Sequence, residues 1–526
     1  MKRLIPLFFL LVSNLVSAQN NYIATSPSSD TPSTNNTIVG IQAGNSTITG
    51  LYNTFLGFQA GAKTTGGWSN VFAGSLSGNA NTTGSNNIFI GMQAGLYNTT
   101  GNNNSFLGFE AGYNNTTGEN NSFVGSKAGI SNSTGFGNTF MGTQTGLSNT
   151  IGYGNSFFGN AAGLYNTSGS QNTFIGQNAG LNSTTGSYNS FIGFATGGFN
   201  STGRENSFMG SFAGYTNTTG SENSFMGYGA GGKNTSGGRN SFYGWGAGEG
   251  NTTGIQNTLL GYRAGYNTST GNNNIIIGPN SGTTITTSDD NVLMGYNAQA
   301  GDGSGNHNVI IGGEAGGGLW AGGNNTLIGH YSSAESMALH NATAIGANAH
   351  VAVSNAVVLG RNANVGIGTS APTARLEVVS EAVDASGLRL TNLTSQSKPV
   401  KATDQFLTVN EKGDVVKAGY QLRITHADEW SDKVFSPSYH LRPLSVVADY
   451  IHQHGHLPNV PSAQQIIDNG VGLVQMNATL LEKVEELTLY SIQLEKTNQQ
   501  QQQELQKLKQ KQEALEQKLD QLLKQK

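Results

Sequence analysis

Three imidazoles alternate at His452, His454 and His456. If that stretch runs extended, alternate residues share one strand face, and histidines gathered on one face begin a transition-metal site. The chain has no cysteine, and no second cluster completes a coordination sphere, so no metal or cofactor is assigned. Glu110, Glu119 and Glu205 stand singly among Gly, Asn, Ser and Thr. Acid and base catalysis needs groups within reach of one another. With no catalytic constellation in view, the chain is read as a non-enzyme. Tyr97, Tyr113, Tyr165, Tyr215 and Tyr266 lie near turn signals, where they could touch a ligand, although scattered exposed aromatics are ordinary. The stretches beginning at Asn98 and Asn182 have the form of N-glycosylation sequons but are read first as turns. Thr99 and Thr100 are adjacent beside Gly101, which does not make the outward threonine rank of an ice-binding face.

What must position these residues is a repeat. Aligning the chain on its apolar-apolar-Gly triplets places Gly57, Gly74, Gly91, Gly108, Gly125, Gly142, Gly159, Gly176, Gly193, Gly210, Gly227, Gly244 and Gly261 at intervals of 17 residues. The series starts at Gly40 and runs on to Gly346 without an insertion, which makes nineteen units. Two further corners, Ala-Gly and Thr-Gly, punctuate each unit. Seventeen residues are too few for a helix pair and suit two short strands joined by turns, each coil stacked on the last. At about 4.8 Å per rung the stack is about 90 Å long. An asparagine thirteen positions after each glycine, as at Asn104, Asn121, Asn138, Asn155, Asn172 and Asn189, is placed to hydrogen-bond from rung to rung.

The pair before each glycine, such as Phe106-Leu107 or Phe225-Met226, carries a further inference. Neighbouring strand residues point to opposite faces. One apolar column fills the coil and the other must point outward, where an uncovered column that long is an aggregation liability. The pattern therefore predicts an oligomer.

Glycine supplies 75 of 526 residues, about twice ordinary usage, and the net charge is -4, which gives no reason to expect nucleic acid as a partner. Residues 1–18 read as a signal peptide: Lys2-Arg3, an apolar run from Leu4 to Val16, then Val16-Ser17-Ala18. No later stretch approaches a membrane span. Export to the cell surface or the medium of a Gram-negative bacterium is the expectation, with no thiol for a lipid anchor.

The triplet-Gly-x-x-Ala pattern of residues 36–369 resembles the YadA-like head repeats of trimeric autotransporter adhesins. That resemblance implies a left-handed parallel β-roll assembled around a threefold axis. The family's repeat is usually fourteen residues, and the last step here, Gly346 to Gly360, is fourteen. Val365 to Thr369 with Pro372 to Val378 resemble the adaptor that follows such heads in tail-fibre-like proteins of Bacteroidetes, and Trp430 to Phe435, His456 to Ser462, Met476-Asn477 and Leu480 to Tyr490 resemble the C-terminal module of those proteins. That module is distantly similar to the endosialidase-type intramolecular chaperone. Ser431-Asp432 resembles the self-cleavage dipeptide of those chaperones, but the charged spacing is missing beyond Lys433, so a folded structural role is preferred. The tail from Leu522 to Lys526 departs from the adhesins, which end in a membrane β-barrel.

From Leu480 a 4,3 alternation through Val484, Leu487, Ser491, Leu494, Asn498, Gln501, Leu505, Leu508, Gln512, Leu515, Leu519 and Leu522 reads as a coiled-coil seam. The expected plan is a signal peptide (1–18), an N-terminal segment (19–35), an all-β solenoid head (36–369), a β-rich adaptor (370–425), a chaperone-like module (426–475) and a coiled coil (476–526). The expected function is a homotrimeric surface adhesin whose repetitive head engages an unidentified protein or glycan. A structural fibre without a receptor is the main alternative, and a self-cleaving module or an ice-binding protein the lesser ones.

Overall fold

A computed structural model describes residues 35–299, 305–316, 322–336, 338–382, 387–389, 391, 405–419 and 431–525. The signal-peptide segment and Trp430 lie outside the described residues. The chain divides into two compact units, residues 1–389 and 390–526.

The first unit is a parallel β-solenoid. Twenty strands of three residues each, from Thr37–Val39 to Val357–Leu359, form a single sheet. Each pairs in register with the equivalent strand of the next coil, so Phe106 faces Phe89 on one side and Phe123 on the other. The step is 17 residues as far as Thr326 opposite Thr343, and 14 at Thr343 opposite Val357. Both the period and the shortened final step follow the sequence.

The middle residue of each strand points inward. Twelve phenylalanines, from Phe55 to Phe242, form one column of fully buried rings with centroids 4.6–5.0 Å apart and planes within 10° of parallel. Leu259, Ile276, Leu293, Ile310 and Leu327 continue it. The core is therefore one side chain wide, and each ring lies over the Ala-Gly corner of its own coil. A Cβ on Gly112 would meet the Phe106 ring at 2.4 Å. The thirteen repeat glycines named above hold φ between +127° and +145°, a region that L side chains rarely adopt, and a Cβ on Gly108 would also strike the carbonyl oxygen of Gly125 at 2.4 Å.

One expectation is corrected. The 17-residue coils before Gly329 contain one strand each among the described residues, not two. The opposite side is bonded from coil to coil through turns, as in Gly95 N–H to the Ala111 carbonyl and Thr99 N–H to that of Thr116, both 2.9 Å. Gly95 and its equivalents hold φ near +60°, which bends the chain where a second strand would run. Where Ser333 and His350 replace that glycine the backbone stays extended, and Ser333–Ala334 pairs with His350–Val351. Val365–Ile367 then pairs in parallel with Leu376–Val378, across the boundary expected at residue 369.

The second unit contains an antiparallel hairpin, Gln405–Val409 with Val415–Gly419, a 3-10 turn at Ser431–Phe435 and three helices: α1 (Leu444–His454), α2 (Ala463–Asn469) and α3 (Leu473–Leu523). Ser462 and Gln465 form a capping box at the start of α2. The 51 residues of α3 extend about 77 Å. Among the described residues no helix is long and apolar enough to cross a membrane.

Candidate interaction surfaces

The third residue of each strand points away from the core. Leu56, Ile90, Leu107, Met141, Ile175, Met209 and Met226 are all exposed while the phenylalanine before each is buried, and Leu260 is exposed beside the buried Leu259. The sequence had established that one column must face outward; the structure identifies it as the residue next to the glycine. The first residue of the strand, usually Ser or Thr, shares that face. Ser224 Oγ lies 2.8 Å from the Tyr243 hydroxyl on the adjacent coil. The result is a pleated face with a hydroxyl column beside an apolar one.

The expected asparagine contacts are present in a more economical form. Asn104 bonds two backbone groups of the following coil: its Oδ1 accepts from Asn121 N–H at 3.0 Å and its Nδ2 donates to the Gly118 carbonyl at 2.8 Å. A second asparagine column, overlooked in the sequence, bonds amide to amide. Asn98 Nδ2 donates to Asn81 Oδ1 at 2.9 Å and Asn115 Nδ2 to Asn98 Oδ1 at 2.7 Å. Its signal was present in the seventeen-residue spacing of Asn81, Asn98, Asn115, Asn132 and Asn149. Asn98 is fully buried, so its sequon is a turn in the folded chain; the half-buried Asn182 donates to the Gly198 carbonyl at 3.1 Å. Thr99 donates its hydroxyl to the Thr116 carbonyl at 3.0 Å while Thr100 is exposed, so this corner offers at most one outward threonine rank.

The corner tyrosines fall into local groups. Tyr97 and Tyr113 pack edge to face at 5.1 Å, Tyr215 meets Phe199 at 5.0 Å, and the Arg263 guanidinium lies 4.1 Å above Tyr266. Tyr165 is exposed. Burial and a hydrogen bond with Tyr97 are both reflected in Tyr113, where the Tyr97 contact is the larger influence holding its hydroxyl above the ordinary pKa. Glu110 pairs with Lys127 of the next coil at 3.7 Å, and Glu119 and Glu205 are exposed.

The condition set for the three histidines is not met, since they do not share a strand face. His452 and His454 belong to α1, and His456 follows its left-handed cap at Gly455. Pro443 ahead of the helix, apolar residues at Leu444, Val447 and Ile451, and the glycine behind are the signals that outweigh alternation. His454 stacks on Tyr450 at 4.2 Å. Among the described residues no group of three or more His, Cys, Asp or Glu is placed to hold a metal.

Asp432-Lys433-Val434 is a fastening. Val434 is buried, and Lys433 pairs with Glu482 of α3 at 3.1 Å. Tyr439 bonds to Glu486, and the Tyr490 hydroxyl donates to the Arg442 carbonyl at 2.5 Å. Burial, then the Glu486 contact, pushes the Tyr439 hydroxyl well above its ordinary pKa. Burial pushes the Glu482 carboxyl up, but Lys433 and Lys483 outweigh it and hold it below its ordinary value. This strap covers the Glu482–Glu486–Tyr490 side of α3 and leaves Leu480, Val484, Leu487 and Leu494 exposed.

No protein-family model matches this chain, and no curated protein matches it in sequence.

Proposed function

We propose that the chain is a secreted, homotrimeric, non-enzymatic fibre of the YadA-like kind, with a left-handed β-roll head and a C-terminal coiled coil, and that it serves in surface adhesion. The observation that carries this reading is the outward apolar column, repeated coil after coil beside a buried phenylalanine column. A solenoid needs only its interior column to fold. The second is accounted for if it is buried between copies of the chain, as large exposed apolar patches are in assemblies. The leucines of α3 support the same reading, since Leu505, Leu508, Leu515, Leu519 and Leu522 are exposed along one heptad stripe. Three chains, the bacterial surface and adhesion come from the family resemblance, and adhesion draws further support from repetition, because identical weak contacts gain by avidity.

The experiment is the solution mass of residues 19–526 by light scattering. Three chains would support the intertwined head and allow adherence to be assayed on the right species. A monomer would sink the claim that the outer column is buried between copies.

A further inference from the structure

The buried amide-to-amide column is interrupted once. From Asn81 to Asn251 its seventeen-residue positions hold ten asparagines and a single serine, Ser183. On one side five amide bonds of 2.7–2.9 Å join Asn81 to Asn166 in an unbroken relay. On the other, three of 2.6–2.7 Å join Asn200 to Asn251. Between them the relay stops. A serine side chain ends one bond short of the place where asparagine carries its amide nitrogen. Asn166 Oδ1 and Ser183 Oγ are accordingly both buried without a hydrogen-bond partner. The neighbouring Asn182 amide does not fill the gap, since its Nδ2 goes to the Gly198 carbonyl at 3.1 Å.

The other columns run on through this place. Phe174 stacks on Phe157 at 4.6 Å and on Phe191 at 4.9 Å, and Asn172 Oδ1 accepts from Asn189 N–H at 2.9 Å. Thr167 N–H reaches the Thr184 carbonyl at 2.9 Å and Thr184 N–H that of Ser201 at 3.0 Å. Inside the intact run the equivalent bonds, Thr116 to Ser133 and Ser133 to Thr150, are both 2.9 Å. With core and backbone alike, the missing amide is what distinguishes the junctions beside Ser183.

We propose that Ser183 is a built-in parting point, at which the solenoid opens more readily than at any junction inside the two asparagine runs. A buried polar atom without a partner weakens the closed state, and opening relieves it by admitting water. Stability in a stacked repeat is set junction by junction, so the weakness stays where the amide is missing. Local opening draws on the least stable junctions first. The same pair of unmet atoms recurs at Asn251 and Thr268, but there the column ends, because Ile285 follows. Only Ser183 has an amide run on both sides, and it divides the stack into two blocks that open separately. This property belongs to the single chain and is independent of the adhesive reading.

The test is hydrogen exchange of the full-length protein, read by mass spectrometry and corrected for intrinsic rates. Residues 166–186 are expected to exchange tenfold or more faster than residues 115–135. Ser183→Asn restores the relay and should slow the first segment to the rate of the second. Its backbone is ready for the change, as Ser183 N–H meets the Gly180 carbonyl at 3.0 Å just as Asn98 N–H meets that of Gly95. Asn115→Ser moves the interruption and should raise exchange in residues 115–135 tenfold or more, which decides the matter if Ser183→Asn fails to fold. Equal exchange in the two segments of the parent would overturn the proposal. So would fast exchange at 166–186 that persists in a folded Ser183→Asn, or unchanged exchange at 115–135 in Asn115→Ser.

Discussion

The amide of Asn104 takes the backbone N–H of Asn121, one coil further on, at 3.0 Å while its Nδ2 holds the Gly118 carbonyl at 2.8 Å. One side chain thus closes the Thr-Gly corner of its neighbour, satisfying a buried donor and a buried acceptor together. Removing it in Asn104→Ala strands both, and leaving buried polar groups unmet costs about 1–3 kcal/mol each. Because repeat folds are stabilised by nearest-neighbour contacts, the damage should be local. Hydrogen exchange is expected to rise around residues 104–121 and to stay unchanged some coils away.

The phenylalanine column makes a graded prediction. Phe157→Ala opens a cavity in a core one ring wide and is expected to destabilise by about 3–5 kcal/mol. Phe157→Leu should cost less than about 1.5 kcal/mol, because Leu259, Leu293 and Leu327 already fill the same column in other coils. Guanidinium denaturation of the pair distinguishes the two.

Two glycines within one coil should behave oppositely. Gly74→Ala meets φ +145° and the Gly91 carbonyl oxygen at 2.3 Å, so it is expected to disrupt stacking there. Gly66→Ala finds only the Thr83 methyl at 3.7 Å and needs no left-handed backbone, so its melting temperature should stay near that of the parent.

On the proposed assembly, Met209→Glu with Met226→Glu places charges in the outer column without touching the core. Dissociation, read as a fall in light-scattering mass with the circular dichroism of the coil retained, is the expected outcome. An unchanged mass would mean that this column does not face another chain.

The strap on α3 should respond to acid. Glu482 has its pKa lowered in the fold, so its contribution is present above the ordinary carboxylate value and is lost as pH falls through the lowered one. Hydrogen exchange in residues 431–442 is expected to accelerate on acidification, and Glu482→Gln should abolish the acid-dependent step.

Much of the head was legible because its period is covalent information: the spacing from Gly40 to Gly346 sets the register, and alternation within Phe106-Leu107 sets the two faces. The missing second strand was less so, since an Ala-Gly corner and an extended pair look alike until Gly95 is seen at φ +58°. The Asn98 column was hidden by its likeness to a sequon. The alternation of His452 and His454 carries no structural information, because the three- and four-residue spacing of Leu444, Val447 and Ile451 places them on a helix.

The coil-to-coil bonding of the solenoid has a mechanical consequence. Seventeen extended residues span about 58 Å of chain, which each coil stores in about 4.8 Å of height. A pull along the stack loads the bonds of a junction together, and a coil at the end, held by one neighbour only, yields before those inside. Under load such a solenoid is expected to lengthen in steps of one coil, absorbing work at each, and on the proposed adhesive reading it would serve as an extensible tether.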